Sequence, residues 1–304
     1  MDQARLAVSG DWFHSEGFHP EGDGVNKVAI VTGTSTGIGL STAIHLAKAG
    51  YQVVATMRDI SKAQLLKDKA AEAGVIVEVA QLDVQSDASV KECVDATLAN
   101  YGRIDVLVNN AGAGFLASTE QMSMEALQKT IDVNFFGVWR CTQAVLPIMR
   151  KAKSGHIITL SSIGGLIGQP FNDAYCAAKF AVEGMMESLA PVAKQFGVHV
   201  SLVEPGPVNT EFVATVRKGN AATALPADDY APLMRNYMKG SEQVFATMGQ
   251  TGDDIAAVIV TAATDAQPHL RYLTSDAMRG LAGRKYVDTT GDSIVAMMGA
   301  RLAQ

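Results

Sequence analysis

The residues with the clearest chemical potential lie between positions 161 and 179. Tyr175 and Lys179 are four residues apart in a run with helical periodicity, so both side chains project from one helix face. A phenol is a poor acid at neutral pH, with a pKa of about 10, and a nearby ammonium group lowers that pKa. The pair could therefore exchange a proton with a substrate oxygen.

Ser162 could take part in the same chemistry. It follows the apolar run 156–160, which is typical of a strand. A hydroxyl at the carboxyl end of a strand faces the crevice in which open α/β sheets bind ligands. A surface tyrosine and lysine on an ordinary amphipathic helix would show the same spacing. These residues therefore indicate catalysis only if the chain also contains a matching cofactor site.

Composition excludes several classes of function. The chain has 304 residues, 48% hydrophobic and 18% charged, enough for one large α/β domain. A net charge of −6 without a basic stripe argues against nucleic acid as a partner. The three separated cysteines and six histidines show no metal-ligand spacing, which indicates free thiols and no metal site. No membrane-spanning run or signal peptide is recognisable, so a cytoplasmic location is expected.

A glycine-rich turn near the start of the chain is the candidate cofactor site. An apolar run at 27–32 predicts a buried parallel strand, and a helix is predicted from residue 40 to residue 49. Between them, Gly33 would form a tight bend, Gly37 would approach a pyrophosphate, and Gly39 would allow close helix–strand packing. The free N–H groups at the helix start would bind the phosphates. The turn is also predicted to supply Thr34, Ser35, Thr36 and Ile38. A structural turn without a ligand is the alternative.

The residues after the second predicted strand (52–57) bear on the choice of dinucleotide. An acidic residue here would bind the ribose hydroxyls of NAD, whereas an arginine would accommodate the 2′-phosphate of NADP. Both Arg58 and Asp59 are present. Arg58 follows the strand more closely, so NADP(H) is expected and NAD remains possible.

The rest of the chain continues an alternation of strands and helices. This pattern predicts parallel strands with right-handed crossovers. The helix predicted over 123–149 is interrupted near Asn134, an asparagine among apolar neighbours. Asp83 follows the third strand and could accept a hydrogen bond from an adenine amino group. The remaining strands are predicted at 75–82, 104–108, 156–160, 198–203 and 271–274, and further helices at 86–101 and 255–263.

Two segments depart from this alternation. Residues 1–26 are rich in glycine and polar residues and are expected to form a flexible extension, leaving 27–304 as the catalytic domain. Over 211–250 the pattern loosens, with Pro232 and Gly240 among the residues expected to break short helical pieces. A long irregular segment beside the crevice is expected to be a lid or substrate-binding segment.

The order of the motifs resembles that of the short-chain dehydrogenase/reductase family over residues 27–275. The motifs are the glycine turn at 32–39, Asn-Asn-Ala-Gly at 109–112, Asn134, Ser162, Tyr175-x-x-x-Lys179 and Pro205-Gly206. Such an ordered set is far more specific than any one of its members. Residues 170–184, 196–202 and 270–272 resemble the branch that holds 17β-hydroxysteroid and retinol dehydrogenases.

The resemblance implies a single Rossmann-like α/β domain, a doubly wound parallel sheet of about seven strands with helices on both faces. It also implies roles for the candidate residues. Tyr175 would protonate the carbonyl oxygen as hydride arrives from the nicotinamide, and Ser162 would polarise that oxygen. Lys179 would lower the Tyr175 pKa and bind the nicotinamide ribose, and Asn134 would anchor the water that returns the proton. The other implied cofactor contacts are Arg58 with the 2′-phosphate, Asp83 with adenine, Thr210 with the carboxamide, and Val84, Asn109, Asn110, Ala111, Gly112, Pro205, Gly206 and Val208 along the dinucleotide.

The sequence therefore predicts an NADP(H)-dependent oxidoreductase acting on a hydrophobic ketone or aldehyde, steroid-like or retinoid-like, as a homodimer or homotetramer. Residues 211–237 match the steroid and retinoid members poorly, which leaves the substrate open. Two alternatives remain. The first is a non-catalytic dinucleotide sensor or scaffold, which could dispense with the three catalytic candidates. The second is a sugar epimerase or dehydratase, whose glycine motif more often has one residue fewer before the second glycine.

Overall fold

The computed structural model describes residues 26–211, 228–287 and 289–302. The predicted extension at 1–26 lies outside these ranges except for its last residue. Seven parallel strands form one sheet, as predicted, and their order is β3-β2-β1-β4-β5-β6-β7. They are β1 (Val28–Thr32), β2 (Gln52–Met57), β3 (Glu78–Gln81), β4 (Val106–Asn109), β5 (Gly155–Leu160), β6 (Val198–Glu204) and β7 (Arg271–Leu273).

Ten α-helices connect or follow the strands in the described residues. They are α1 (Gly37–Lys48), α2 (Gln64–Glu72), α3 (Asp87–Tyr101), α4 (Met124–Ile131), α5 (Gly137–Ala152), α6 (Asp173–Lys194), α7 (Tyr230–Met248), α8 (Gly252–Thr264), α9 (Asp276–Val287) and α10 (Asp292–Gly299). The predicted caps of α3 are confirmed: the Ser86 side chain accepts a hydrogen bond from Ser89 N, and Gly102 ends the helix with φ +70. None of the helices described is both long and apolar enough to cross a bilayer.

Helices cover both faces of the sheet, which explains why the central strands are apolar throughout. Ala29 and Val31 of β1 belong to the core on the side of α1 and α8. Ile30 belongs to the core on the side of α3, α5 and α6. Because neighbouring side chains point to opposite faces of a strand, a strand buried on both faces needs apolar residues at consecutive positions. All five residues of β1 are buried.

The strand order reverses between β1 and β4, which defines the functional edge of the sheet. β1 pairs with β2 on one side and with β4 on the other. In sheets of this kind the crevice outside the carboxyl ends of the strands, at the point of reversal, is where ligands bind. The glycine turn, the Asn-Asn-Ala-Gly segment and Ser162 lie at the carboxyl ends of β1, β4 and β5.

The predicted interruption at Asn134 is confirmed, whereas the irregular segment over 211–250 is partly wrong. A π-helical turn (Asp132–Phe136) separates α4 from α5. Helix α7 runs unbroken through Pro232 and Gly240. Proline is compatible with the first turn of a helix, and buried Met234 and Tyr237 contribute packing that offsets the cost of the glycine. Residues 212–227 lie outside the described part. The structure also adds α9 and α10, which the sequence analysis did not identify.

Candidate active site

The glycine turn has the close contacts that its sequence predicts. Gly33 and Gly37 adopt positive φ values of +73 and +61, which residues with a side chain rarely adopt. A Cβ atom at Gly33 would lie 2.9 Å from Ala111 Cα, and one at Gly39 only 2.3 Å from Gly33 O. The backbone of the turn is thereby brought close to the end of β4 and to the start of α1.

Asn110 fixes this turn to the neighbouring strand. Its side-chain Nδ2 donates hydrogen bonds to Thr32 O at 2.7 Å and to Gly33 O at 3.0 Å. Thr32 Oγ1 in return accepts from the backbone N–H groups of Asn110 and Ala111, both at 3.0 Å. These bonds hold the backbone of the turn and of the segment after β4 in one rigid arrangement.

Two residues predicted to contact the cofactor lie elsewhere. Asn109 points away from the crevice, because its Nδ2 donates to Thr142 Oγ1 and Thr159 Oγ1 in the core, both at 3.2 Å. Thr34 is completely buried, and both its N–H and its hydroxyl donate to Thr56 O. Neither residue lines the cavity described below. In both residues the polar side chain instead forms hydrogen bonds that stabilise the fold.

Ser162, Tyr175 and Lys179 come together at the end of β5. Ser162 Oγ accepts a hydrogen bond from Gly164 N at 3.0 Å and also bonds the Tyr175 hydroxyl. Lys179 Nζ donates to Leu160 O at 2.7 Å and lies 5.7 Å from the centre of the Tyr175 ring. The start of α6 therefore packs the predicted pair against the strand end that carries the serine.

Burial dominates the electrostatics of this group. Burial raises the pKa of Tyr175 to about 12, whereas the Ser162 hydrogen bond opposes this shift. The loss of hydration therefore dominates the Tyr175 pKa, and the lowering of that pKa by Lys179 stays a prediction. Burial lowers the pKa of Lys179 itself to about 8, and the Glu183 carboxylate opposes that shift. At neutral pH, Tyr175 is a neutral phenol and Lys179 is mainly an ammonium ion.

Asn134 is completely buried in the π-helical turn and uses its side chain to hold backbone. Its Nδ2 donates to Ala113 O at 2.8 Å and to Thr130 O at 2.9 Å. Its Oδ1 accepts from Ala113 N at 3.2 Å. The side chain therefore positions the segment after β4 against α4.

At the other end of the crevice, Arg58 rather than Asp59 faces the cavity. Arg58 is exposed at the end of β2 and lines the cavity. Asp59 accepts hydrogen bonds from Ser61 Oγ at 2.6 Å and from Ser61 N at 3.1 Å, and these bonds lower the pKa of its carboxyl. Asp83 also lines the cavity, and its Oδ1 accepts from Gln85 N at 3.0 Å. The arginine is thus the residue free to meet an anionic group.

A single cavity of about 1080 Å³ joins the turn, the catalytic candidates and Arg58. Of the residues that the sequence predicts for the site, all except Thr34 and Asn109 line it. These residues are Gly33, Ser35, Thr36, Gly37, Ile38, Gly39, Arg58, Asp83, Val84, Asn110, Ala111, Gly112, Asn134, Ser162, Tyr175, Lys179, Pro205, Gly206, Val208 and Thr210. Bare backbone at Gly33 and Gly37, the start of α1 and a cationic end suit a dinucleotide with an extra phosphate.

A second set of mainly apolar residues lines the same cavity, and the sequence analysis missed it. This second half of the cavity is formed by α7, α9, α10 and the segments after β4 and β5, with side chains that include Leu116, Ile167, Met238, Phe245, Met278 and Met298. The apolar residues at helical spacing in α7 could have indicated this half of the cavity, but Pro232 and Gly240 favoured the interpretation of an irregular segment. The described residues contain no group of three or more acidic, histidine or cysteine side chains that could hold a metal ion.

Comparison with known proteins shows which family the chain belongs to. The family described as "short chain dehydrogenase" matches residues 27–221, and the chain belongs to that family. It is therefore an oxidoreductase by family, as the sequence predicted. Retinol dehydrogenase 8 from Homo sapiens is 43% identical over 276 residues, covering 88% of each chain. The 17-beta-hydroxysteroid dehydrogenase type 1 from Homo sapiens is 39% identical over 279 residues, covering 89% of this chain and 84% of that protein.

A solved structure gives the same result for the fold. A metagenomic short-chain oxidoreductase in complex with NADP has a TM-score of 0.64 and 31% sequence identity. The match covers 81% of this chain and 96% of that one. The predicted Rossmann-like fold and the resemblance to the retinol and hydroxysteroid dehydrogenase branch are both confirmed.

Proposed function

We propose that this protein is an NADP(H)-dependent oxidoreductase that interconverts a hydrophobic ketone or aldehyde and its alcohol. The observation that carries the proposal is the hydrogen-bonded Ser162–Tyr175 pair, with Lys179 beside it, in the same cavity as the glycine turn. In the direction of reduction, the bound nicotinamide supplies a hydride to the carbonyl carbon.

Two hydroxyl donors meet the carbonyl oxygen in this proposal. Ser162 and Tyr175 both donate to it and stabilise the negative charge that develops there. Tyr175 then gives up its proton, so the carbonyl oxygen becomes the alcohol hydroxyl. The pKa of Tyr175, raised by burial to about 12, suits this role because the phenol stays protonated at neutral pH. Lys179, mainly an ammonium ion at that pH, stabilises the phenolate that is left.

Residues of the glycine turn and Arg58 would hold the dinucleotide. The turn would contact the pyrophosphate through backbone N–H groups, and Arg58 would pair with the 2′-phosphate of NADP(H). Asp83 would accept from the adenine amino group, and Thr210 would bind the carboxamide. The engagement of Asp59 with Ser61 supports NADP(H) over NAD, because that carboxylate is not directed at a ribose.

An elongated apolar molecule is the substrate class that the second half of the cavity supports best. Phe115, Leu116 and Ile167 line it, and three methionines add side chains that adapt to irregular shapes. The relatives named retinol dehydrogenase 8 and 17-beta-hydroxysteroid dehydrogenase type 1 support a retinoid-like or steroid-like molecule. In this proposal α7 forms part of the substrate-binding segment of one catalytic domain over 27–304.

The protein is further proposed to act as a homodimer or homotetramer in the cytoplasm. Phe136, Trp139 and Phe180 are 48%, 47% and 39% exposed, and they extend from the region of the π-helical turn to α6. A second copy would cover this apolar surface. The three cysteines are buried free thiols, which suits a reducing compartment.

A turnover screen tests the proposed function. Purified protein would be mixed with NADPH or NADH and a panel of steroid ketones, retinals, acyl ketones and small diketones, and cofactor oxidation would be followed by absorbance. The proposal predicts faster oxidation of NADPH with the large apolar members than with the small diketones. Tight NADPH binding without turnover of any member would instead favour a dinucleotide sensor.

A further inference from the structure

The far wall of the cavity carries a cation that the proposed reaction does not use. Arg301 lies in the 3₁₀ turn (Ala300–Leu302) that follows α10, and it lines the same cavity as Tyr175. Its guanidinium stacks on the ring of Tyr237 of α7, 4.8 Å from the ring centre. One nitrogen donates to Ser241 Oγ at 3.2 Å. The turn is fixed separately, because Asn236 Nδ2 donates to Leu302 O at 3.1 Å.

Arg301 differs in its pairing from the other half-buried arginines. Arg140 and Arg271 each pair with two or more carboxylates. No carboxylate of the described residues lies within ion-pair distance of Arg301, although Glu242 also lines the cavity. A guanidinium has five N–H donors and cannot lose its charge in a protein. Among the residues that the structure describes, its hydrogen bonds go to Ser241 Oγ and, at 3.9 Å, to Met298 Sδ, which leaves other donors for a ligand.

The side chain of Tyr237 connects Arg301 to the helix that carries Tyr175. The Tyr237 hydroxyl accepts a hydrogen bond at 2.9 Å from Asn172, which immediately precedes α6. Tyr175 lies in the first turn of that helix. The Tyr237 side chain therefore lies between Arg301 and the residue that precedes α6, and Leu116 and Met238 line the same cavity as Arg301 and Tyr175.

We propose that Arg301 binds a carboxylate at the far end of the substrate, so that the protein acts on keto or oxo acids with an apolar body. The inference rests on the proposed function. The stacked guanidinium is pre-organised, and its partly buried position strengthens a charge-assisted hydrogen bond relative to one in water. Reaction and recognition would then occur at opposite ends of the molecule, with the carbonyl at Ser162 and Tyr175.

Binding of two unreactive probes tests the carboxylate site without turnover. The affinities of dodecanoate and dodecanol would be measured by calorimetry for the NADPH-loaded wild type, Arg301→Met and Arg235→Met. Arg235 is an exposed arginine of α7 outside the cavity lining, which makes it a matched control. The preference for dodecanoate over dodecanol should fall about tenfold or more in Arg301→Met and stay unchanged in Arg235→Met. Arg301→Lys should restore part of it.

An unchanged preference in Arg301→Met would overturn the inference. A lower melting temperature of that variant with unchanged preference would mean that Arg301 only ties the C-terminal turn to α7. A wild type that binds both probes equally well would overturn it too.

Turnover separates this inference from the proposed function. NADPH oxidation would be measured with ω-oxododecanoic acid and with its methyl ester, which share the aldehyde and the chain. Turnover of the ester tests the proposed function alone. The ratio of kcat/KM for acid over ester tests Arg301, and it should fall in Arg301→Met mainly through KM. Ester turnover with no preference for the acid would refute the carboxylate site and leave the oxidoreductase intact.

Discussion

Replacing Arg58 by alanine should remove the preference for NADPH. Within the described part of the chain, no hydrogen bond or ion pair involves the Arg58 guanidinium, so its loss leaves no buried partner unpaired. A hydrogen bond to a charged group contributes about 1.5–3 kcal/mol. Because Arg58 is exposed and screened by solvent, the lower end of that range applies, about 1.5 kcal/mol, which corresponds to roughly a tenfold change.

The assay compares KM for NADPH and NADH with one ketone substrate at low and moderate salt. In Arg58→Ala the KM for NADPH should rise about tenfold, the KM for NADH should stay nearly constant, and the salt dependence of the NADPH KM should weaken. Lys62→Ala is the control, since Lys62 is exposed nearby and pairs with Asp59 at 3.9 Å. Asp59→Ala should leave the KM for NADH unchanged because Ser61 already engages that carboxylate.

Two results would refute this reasoning. An equal rise of both KM values in Arg58→Ala would mean that Arg58 supports the turn rather than a 2′-phosphate. A large rise of the NADH KM in Asp59→Ala would show that Asp59 leaves Ser61 to bind the ribose.

Three further predictions follow from the packing and charges. Gly39→Ala should lower the free energy of unfolding by about 1–3 kcal/mol or more and abolish NADPH binding, because the new Cβ would lie 2.3 Å from Gly33 O. Denaturant unfolding measures the first effect and cofactor titration the second. Normal NADPH affinity of the variant would contradict the prediction. Burial lowers the pKa of His156 from 6.5 to about 3, so the unfolded state binds more protons between these values and stability should fall as pH decreases through that window. Thermal unfolding against pH should show a flatter profile for His156→Gln, and an equally steep one would refute it. Trp139→Glu should convert the proposed oligomer to monomer in analytical ultracentrifugation, whereas an oligomer of unchanged size would show that another surface pairs.

Much of the fold could be predicted because its signals are local. A strand buried on both faces needs an unbroken apolar run, and β1 and β5 have one. The cap residues Ser86 and Gly102 mark the ends of α3 by themselves. Helix α7 could not be predicted in the same way. Its continuity depends on packing against residues distant in sequence, such as Phe171, whose ring lies 5.9 Å from that of Tyr237.

In the candidate site too, some features follow from the local sequence and others only from tertiary packing. The four-residue spacing alone predicted that Tyr175 and Lys179 share one helix face. The position of Ser162 after a strand predicted that it faces the crevice. Which of two adjacent asparagines faces the cavity could not be read from the sequence, and Asn109 proved to face the core while Asn110 holds the turn. The direction of the Tyr175 pKa shift also depended on burial, which only the folded chain reveals.

Helices α9 and α10 contribute to the cavity in a way that the sequence did not indicate. Met278 and Met298, on α9 and α10, line the substrate half of the cavity. No pattern in the sequence connects these helices to the site, because their approach to α7 is a matter of tertiary packing. The substrate class therefore rests on the cavity walls rather than on the motifs.

Substitution of Tyr175 by phenylalanine is the most direct test of the account, because it removes only the hydroxyl that is proposed to carry the proton. NADPH affinity would be measured by fluorescence titration and NADPH oxidation with the best ketone of the screen. The account predicts that turnover falls at least about 100-fold while NADPH still binds with nearly the wild-type Kd. Turnover close to that of the wild type would show that the proton comes from another group and would contradict the proposed chemistry.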